Sequence, residues 1–198
     1  MNYLAHAYLS FKEPGILIGN MISDFVKGRK KFEFPLAIQK GISLHRAIDE
    51  FTDAHVLTKE AMVFFKPHYR LYAGAFIDVV YDHFLANDVV EFESNEVLNS
   101  FCQVTYASLE DSTVSLPAKF QEMLPFMKQQ NWLYNYRFKE GIEKSFGGLA
   151  RRATYITESA TAYQVFNANY EALGFYYKSF FPLLKEFAIH KLRELNNY

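Results

Sequence analysis

A histidine and two carboxylates recur at four-residue steps in "HRAIDEFTD", the stretch from His45 to Asp53. In a helix His45, Asp49 and Asp53 stand on one side, a turn apart. That spacing lets an imidazole and a carboxylate reach one point, as metal ligands or as a hydrogen-bonded pair. Alone, H-x-x-x-D more often marks a solvated stripe, here with Arg46 and Glu50 as neighbours. A second stretch, "IDVVYDHFL", repeats the spacing: Asp78 and Asp82 lie four apart and His83 follows. Ile77, Val79, Val80, Tyr81, Phe84 and Leu85 surround them, so this helix reads as buried. A buried carboxylate is costly unless it is paired, protonated or metal-bound. Two of them one turn apart also repel each other. A divalent cation relieves both, and so does a buried salt bridge from elsewhere in the chain.

Two weaker signals precede these. Asn20 and Asp24 share a face in "IGNMISDFVKG", and His6 stands in the aromatic-rich "NYLAHAYL". Each alone suits a polar last turn or a satisfied core histidine. Together His6, Asp24, His45, Asp49, Asp78, Asp82 and His83 lie within the first 83 residues, on apolar helices whose packing can converge them on one cavity. Mixed imidazole and carboxylate donors suit borderline to hard divalent ions such as Mn, Fe or Zn. Such ions polarise a phosphoryl oxygen and acidify a bound water. The run "KGRKK" places Lys27, Arg29, Lys30 and Lys31 just after Asp24, and Arg151 and Arg152 form a smaller pair. These cations suit a phosphate or an acidic partner, or simply solubility and a helix C-terminus. The chain has no Gly-rich phosphate loop, CxxC, HExxH or GxSxG pattern.

The elements that must position these groups read as helices nearly throughout, with almost no strand alternation. "NYLAHAYLSF" is a short helix closed by Pro14 and Gly15. Pro14 opens a second helix, "PGILIGNMISDFVKG", which Gly28 ends, and "RKKFEF" is a loop. Pro35 opens a third over "PLAIQKGISLHRAIDEFTDAH", with Ile38, Ile42, Ile48 and Phe51 in its apolar stripe. Thr58 is the expected cap of "TKEAMVFFKPHY". The most apolar stretch, "LYAGAFIDVVYDHFLAND", reads as central. Ser94 or Asn95 caps the next helix, and Pro117 and Pro125 bracket "AKFQEMLPFMKQQNWL". Three helices end the chain, the last opening at Pro182, with a kink or break expected at Gly147-Gly148. The expectation is an all-α fold: one compact domain over residues 1–198, of about eight to ten helices.

At 198 residues the chain is long enough to bury a core without disulfides. It holds 20 Phe and 14 Tyr, which argues against disorder. A net charge of −1 gives no global field toward nucleic acid or membrane. One cysteine, Cys102, excludes an intrachain disulfide and suits a reducing compartment. The N-terminal stretch lacks the pattern of a signal peptide, and no apolar run is long enough to span a membrane. A cytoplasmic location is expected, with no nucleic-acid or membrane partner.

Five motifs in order, "NYLAHAYLS", "GNMISDFVKG", "SLHRAIDEFTD", "IDVVYDHFLAN" and "GGLARR", resemble the acyl carrier protein phosphodiesterase family. That family looks like a remote branch of the all-helical, metal-dependent HD-domain phosphohydrolases. The resemblance implies an HD-like fold and a phosphoric diester hydrolase that releases 4'-phosphopantetheine from holo-acyl carrier protein. It implies a divalent cofactor, Mn in particular, with Fe, Mg or Zn as substitutes. On this sequence it implies Asp24, His45, Asp49, Asp82 and His83 as metal ligands. His6 and Asp78 would serve as acid, base or support, and Lys27 and Arg46 as phosphate binders. This chain has no His-Asp dipeptide; Asp82-His83 reverses it. The alternatives are an HD-like phosphohydrolase acting on a nucleotide or other small phosphoester, and a non-catalytic helical binding protein held by structural ion pairs.

Overall fold

Prolines and short polar side chains fix where most helices of the computed structural model begin. The structure describes residues 1–112, 114 and 116–197. Asn2 caps α1 (Tyr3–Tyr8), its side chain accepting the Tyr3 N–H. Pro14 takes the first position of α2 (Pro14–Ile22), and Pro35 precedes α3 (Leu36–Ala54). His55 caps α4 (Val56–Ala61) by accepting the Leu57 N–H. The expected cap, Thr58, is instead buried inside that helix. The single turn α5 (Lys66–Tyr69) leads to α6 (Ala73–Ala86). Ser94 caps α7 (Asn95–Glu110), as expected, through the Val97 N–H. Then come α8 (Ala118–Gln129), α9 (Trp132–Asn135), α10 (Lys139–Arg152), α11 (Ala160–Ala168) and α12 (Tyr170–Asn196). Among the described residues every regular element is helical, with twelve α-helices and four short 3-10 segments. Four of the twelve, α1, α4, α5 and α9, are pieces of six residues or fewer, and they carry the count above the expected eight to ten.

Several expected boundaries move. The second helix stops at Ile22 and gives way to a 3-10 turn, Ser23–Phe25. The "RKKFEF" loop forms most of a second 3-10 segment, Gly28–Glu33, with Phe34 just beyond it. "TKEAMVFFKPHY" breaks into α4, a 3-10 turn and α5. Pro125 lies inside α8 and Pro182 inside α12, while Gly147 and Gly148 do not interrupt α10. An interior proline costs about 3 kcal/mol. α12 sustains it because Tyr177, Phe180, Phe181, Leu184 and Ala188 form a buried stripe across the site. The chain instead breaks at Asn169, whose side chain binds the Val165 carbonyl at 2.8 Å and ends α11.

Two packing features position the site. α2 crosses α3 with backbones touching: a Cβ on Gly19 would sit 2.1 Å from the Ile38 oxygen, and one on Gly41 2.3 Å from the Ile16 oxygen. Only glycine permits that approach. It brings Asn20, next to Gly19, against His45, one turn past Gly41. α6 is the central helix, with ten of its fourteen residues buried. Asp53 faces Gly74, and Asp49 and Asp78 flank the Met1 amino group. α3 and α6 therefore run in opposite directions past α1.

Candidate metal centre

Two imidazoles and a carboxylate meet where α1, α2 and α3 converge. His6, His45 and Asp49 offer donor atoms that all lie within 4.8 Å of one another. The two rings stack with centroids 3.8 Å apart. Asp49 straddles them: Oδ1 is 3.1 Å from His6 Nε2, and Oδ2 is 3.0 Å from His45 Nε2. Asp24, from the 3-10 turn after α2, puts Oδ1 3.2 Å from His45 Nε2. Both imidazoles are buried, whereas the Asp24 side chain is 66% exposed, so the centre opens to solvent on that side. Glu50 takes the wet face of α3.

Asn20 stands behind both rings. Its backbone oxygen accepts from His45 Nδ1 at 2.8 Å, and its side-chain oxygen meets His6 Nδ1 at 2.8 Å. The amide orientation is fixed because Nδ2 donates to the His6 carbonyl and to Ser10 Oγ. Rotating the amide would set two oxygens against each other. Both Nδ1 atoms therefore carry protons, and each neutral ring turns a lone pair from Nε2 toward carboxylate oxygen. This is the arrangement of metal-binding histidines, in which a hydrogen bond at one ring nitrogen orients the other toward the ion. Without a cation, lone pair faces lone pair.

A proton meets that need at His45 only. Burial lowers the affinity of His45 for a proton, but Asp24 and Asp49 outweigh it and lift the pKa to about 9. Burial and the neighbouring His45 charge lower His6 to about 4, against the pull of Asp49. Burial works against the ionised Asp49, yet the hydrogen bond from His45 holds its carboxyl far below the usual range. The hydrogen bond from His45 likewise lowers Asp24. At neutral pH His6 thus keeps a free lone pair 3.1 Å from a carboxylate oxygen. His and Asp donors with one solvent-facing side fit a divalent cation.

The other expected site residues go elsewhere. Asp82 is fully buried and accepts the backbone N–H groups of Asn2, Leu4 and Ala5 at 3.3, 2.7 and 3.3 Å. It pins the start of α1, as a negative group at a helix N-terminus does. Burial raises its pKa to about 7, against the Met1 amino group and those amides. His83 binds the Tyr136 oxygen through Nδ1 at 2.7 Å and the Tyr170 hydroxyl through Nε2 at 2.9 Å. Neither belongs to the His6–His45–Asp49 cluster. The reversed dipeptide is structural because α1 and the segment around Tyr136 supply partners that no local spacing reveals. Asp78 lies 2.9 Å from the Met1 amino group, which also meets Asp49 at 3.5 Å. Burial opposes charge on that amino group, but Asp78 and Asp49 raise it to about 11. His6, expected as an acid, base or support, instead lies among the candidate ligands.

Among the phosphate-binding candidates, Arg46 is exposed and donates through Nη2 to the Val26 oxygen at 2.8 Å. Lys27, next along, is also exposed. Sequence reading missed the structural role of Asn20, although it noted that Asn20 shares a face with Asp24. It also missed the pairing of Tyr3 with Arg152. Burial raises the Tyr3 hydroxyl to about 12, against the Arg152 guanidinium beside it and with the push of Asp24. That pairing brings the end of α10 to the rim of the centre.

A family profile described as acyl carrier protein phosphodiesterase matches residues 1–184. The chain is 31% identical over 191 residues to the acyl carrier protein phosphodiesterase of Yersinia pestis, covering 96% of this chain and 99% of that protein. It is 30% identical over 191 residues to the protein of the same name from Photorhabdus laumondii, covering 96% of each. It is 31% identical over 193 residues to that of Escherichia coli, covering 96% of this chain and 99% of that protein. No solved structure matches the chain. No helix among the described residues is long and apolar enough to cross a membrane.

Proposed function

This chain belongs to the acyl carrier protein phosphodiesterase family, and from that premise we propose that it hydrolyses the phosphodiester joining 4'-phosphopantetheine to holo-acyl carrier protein. One observation carries the reading. His6 Nε2, with Nδ1 committed to Asn20, stands 3.1 Å from Asp49 Oδ1, and with His45 these donor atoms lie within 4.8 Å of one another, close enough to share one ion. His6, His45, Asp49 and Asp24 are the residues to hold it. A divalent ion there, Mn before Fe, Mg or Zn, supplies Lewis acidity toward a phosphoryl oxygen and acidifies a bound water.

The protein's own groups do the rest. Asn20 holds both imidazoles in the ligating tautomer through its two oxygens. Arg46, held on the Val26 carbonyl, and Lys27, next in the chain, are exposed three or fewer residues from Asp24 or His45 and are the groups to bind the non-bridging phosphate oxygens. Asp78, its pKa raised by burial against the opposing Met1 amino group, is the proton-transfer group. Lys27, Arg29, Lys30 and Lys31 lie within or beside the Gly28–Glu33 turn and are mostly exposed, with the Phe32 ring 63% exposed among them. This basic edge receives the acidic surface of a carrier protein and speeds the encounter. A carrier-protein substrate fits the expected cytoplasmic location.

The test uses protein purified without chelators. The reading expects a divalent metal near one per chain, and a shift of holo-carrier protein to the apo mass on incubation. Substoichiometric metal with no thermal shift on adding Mn overturns it. Turnover of a nucleotide phosphoester without loss of the carrier's arm replaces it with the nucleotide reading.

A further inference from the structure

The diester of the proposed substrate has two sides, one toward the protein and one toward the arm. The centre has two open directions to match. The Met1 amino group and Asp82 are buried and close it on the α1 side. The Gly19–Gly41 contact closes the space between α2 and α3. One opening passes Asp24 to the basic edge at Lys27. The other follows α3 toward its C-terminus, past Asp49, which is half-exposed, and then Asp53, which is exposed. Asp53 stands about 5.4 Å beyond Asp49, one helical turn. Gly74 lies beside it, and an added Cβ there would make ordinary contacts, with the end of Met62 at 3.7 Å and Asp53 Oδ1 at 4.0 Å.

Just before Gly74 in the chain, Arg70, Leu71 and Tyr72 line a cavity of about 400 Å³. Sites for small molecules range over roughly 300–1,000 Å³. Both walls of the cavity belong to chain segments that continue into elements packed near the centre. One wall is Arg70, Leu71 and Tyr72, which continue through Gly74 into α6 and Asp78. The other is Tyr155 to Glu158, which leaves α10 just after Arg152, the cation beside Tyr3. The floor is rigid, because the Tyr69 hydroxyl donates to Glu158 at 3.1 Å and accepts the Ala162 N–H at 2.8 Å. The rim carries two features that folding alone does not favour. Leu71 is 96% exposed and Tyr155 84% exposed. Arg70 has φ of 47°, a strained conformation for a residue with a side chain.

We propose that this lane and cavity hold the pantetheine arm while its phosphate sits at the metal centre. This inference rests on the carrier-protein reading and assigns the arm's own binding site. Its chemistry fits an uncharged chain with two amides, a gem-dimethyl group and a terminal thiol. Leu71, Ile156 and Tyr155 offer apolar contact, while Thr157 and the backbone offer hydrogen-bonding groups. The arm is about as long as four or five extended residues, roughly 15 Å, longer than the single helical turn from Asp49 to Asp53.

Two variants test it. Leu71→Asp with Tyr155→Ala changes only exposed side chains, and Gly74→Leu narrows the lane at a position with room for a Cβ. Pantetheine without phosphate is titrated into wild-type protein and each variant by NMR. The expected result is millimolar binding to wild type, weakened about tenfold or more in both variants, the size of effect of losing one or two good contacts. kcat/KM on holo-carrier protein is expected to fall similarly, with turnover of bis(p-nitrophenyl) phosphate, which has no arm, unchanged. Absence of pantetheine binding to wild type overturns the inference, as does binding that the variants leave intact. Equal losses on both substrates, or an adenine nucleotide displacing pantetheine from the cavity, also overturn it. Whether wild type releases the arm at all is read separately by mass. Pantetheine binding with no release removes the proposed reaction and leaves the site standing.

Discussion

α3 and α6 carry the same residue types at the same spacing and use them in opposite ways. In α3, His45 and Asp49 turn to each other, to His6 and to Asp24 across a face open to solvent. In α6, Asp78, Asp82 and His83 part company: an amino group, three backbone amides, and a carbonyl with a phenol. The two histidines titrate in opposite directions. Carboxylates lift His45 to about 9, whereas burial drops His83 to about 4, only partly offset by the Tyr136 carbonyl. The lesson concerns donors. A carboxylate given backbone N–H groups by its own fold is satisfied in place, whereas one that shares imidazole nitrogens at an open face can exchange a proton for a metal.

The widest separation is expected from paired alanine variants. His45→Ala should fold, lose bound metal and lose more than about 100-fold in activity, since even residues outside the ligand set cost 10–100-fold. His83→Ala should keep its metal and lose about 1–3 kcal/mol of stability, because a buried carbonyl and hydroxyl lose their partner. Metal analysis and thermal melts of the two proteins decide this. Metal retained by His45→Ala and lost by His83→Ala would reverse the assignment of the two helices.

Asp82→Asn tests whether α6 supports the centre from a distance. α1 has six residues, too few to hold a helix alone, and His6 rides on it. An asparagine removes the negative acceptor of three amides. The expected cost is roughly 1–3 kcal/mol of stability, with about tenfold weaker Mn binding in the folded variant, as for other supports of ligand geometry. Isothermal titration with Mn, beside circular dichroism, separates the two effects. Unchanged Mn affinity would confine Asp82 to stability.

These contrasts show what the sequence made legible. The all-helical fold follows from periodicity, and the family from five ordered motifs that the matches bear out. His45 and Asp49 share a face because they are four apart on one helix, which local spacing encodes. Asp82 and His83 looked alike because "IDVVYDHFL" shows that they are buried and cannot show with what. Their partners lie 77 to 80 residues away for Asp82 and 53 and 87 away for His83. Asn20 was visible as a polar residue on an apolar helix, but its role depends on the Gly19–Gly41 crossing. Pro182 misled because helix rules are local, while the stripe that carries the chain through it is tertiary.

Acid and base separate the helices more gently. In the metal-free protein His45 binds a proton more tightly folded than unfolded, so between pH 6.5 and about 9 its stabilising effect declines as pH rises. His83 is the reverse: depressed to about 4, it makes folding weaken as pH falls from 6.5 toward 4. Melts of wild type against the two alanine variants across that range show the crossing. A cation must also displace the His45 proton, so Mn affinity should rise about tenfold per pH unit below pH 9 and then level. His6, already neutral, adds no further slope above pH 5. A slope near two would mean that His6 is protonated as well and that the lone-pair argument fails.

The smallest effect tests the open edge that α3 has and α6 lacks. Lys30 and Lys31 lie in the Gly28–Glu33 turn and have no carboxylate partner among the described ion pairs. Exposed charges act over about 8–10 Å at physiological salt, so they bear on encounter and leave the chemistry alone. Replacing both with Glu should lower kcat/KM on holo-carrier protein about tenfold at low salt, within the range of electrostatic steering. The loss should shrink as salt rises, while kcat and turnover of a small diester hold. Wild-type kcat/KM that stays flat from low to high salt would remove the basic edge from recognition. The carrier protein would then be held by the arm alone, through the lane past Asp53.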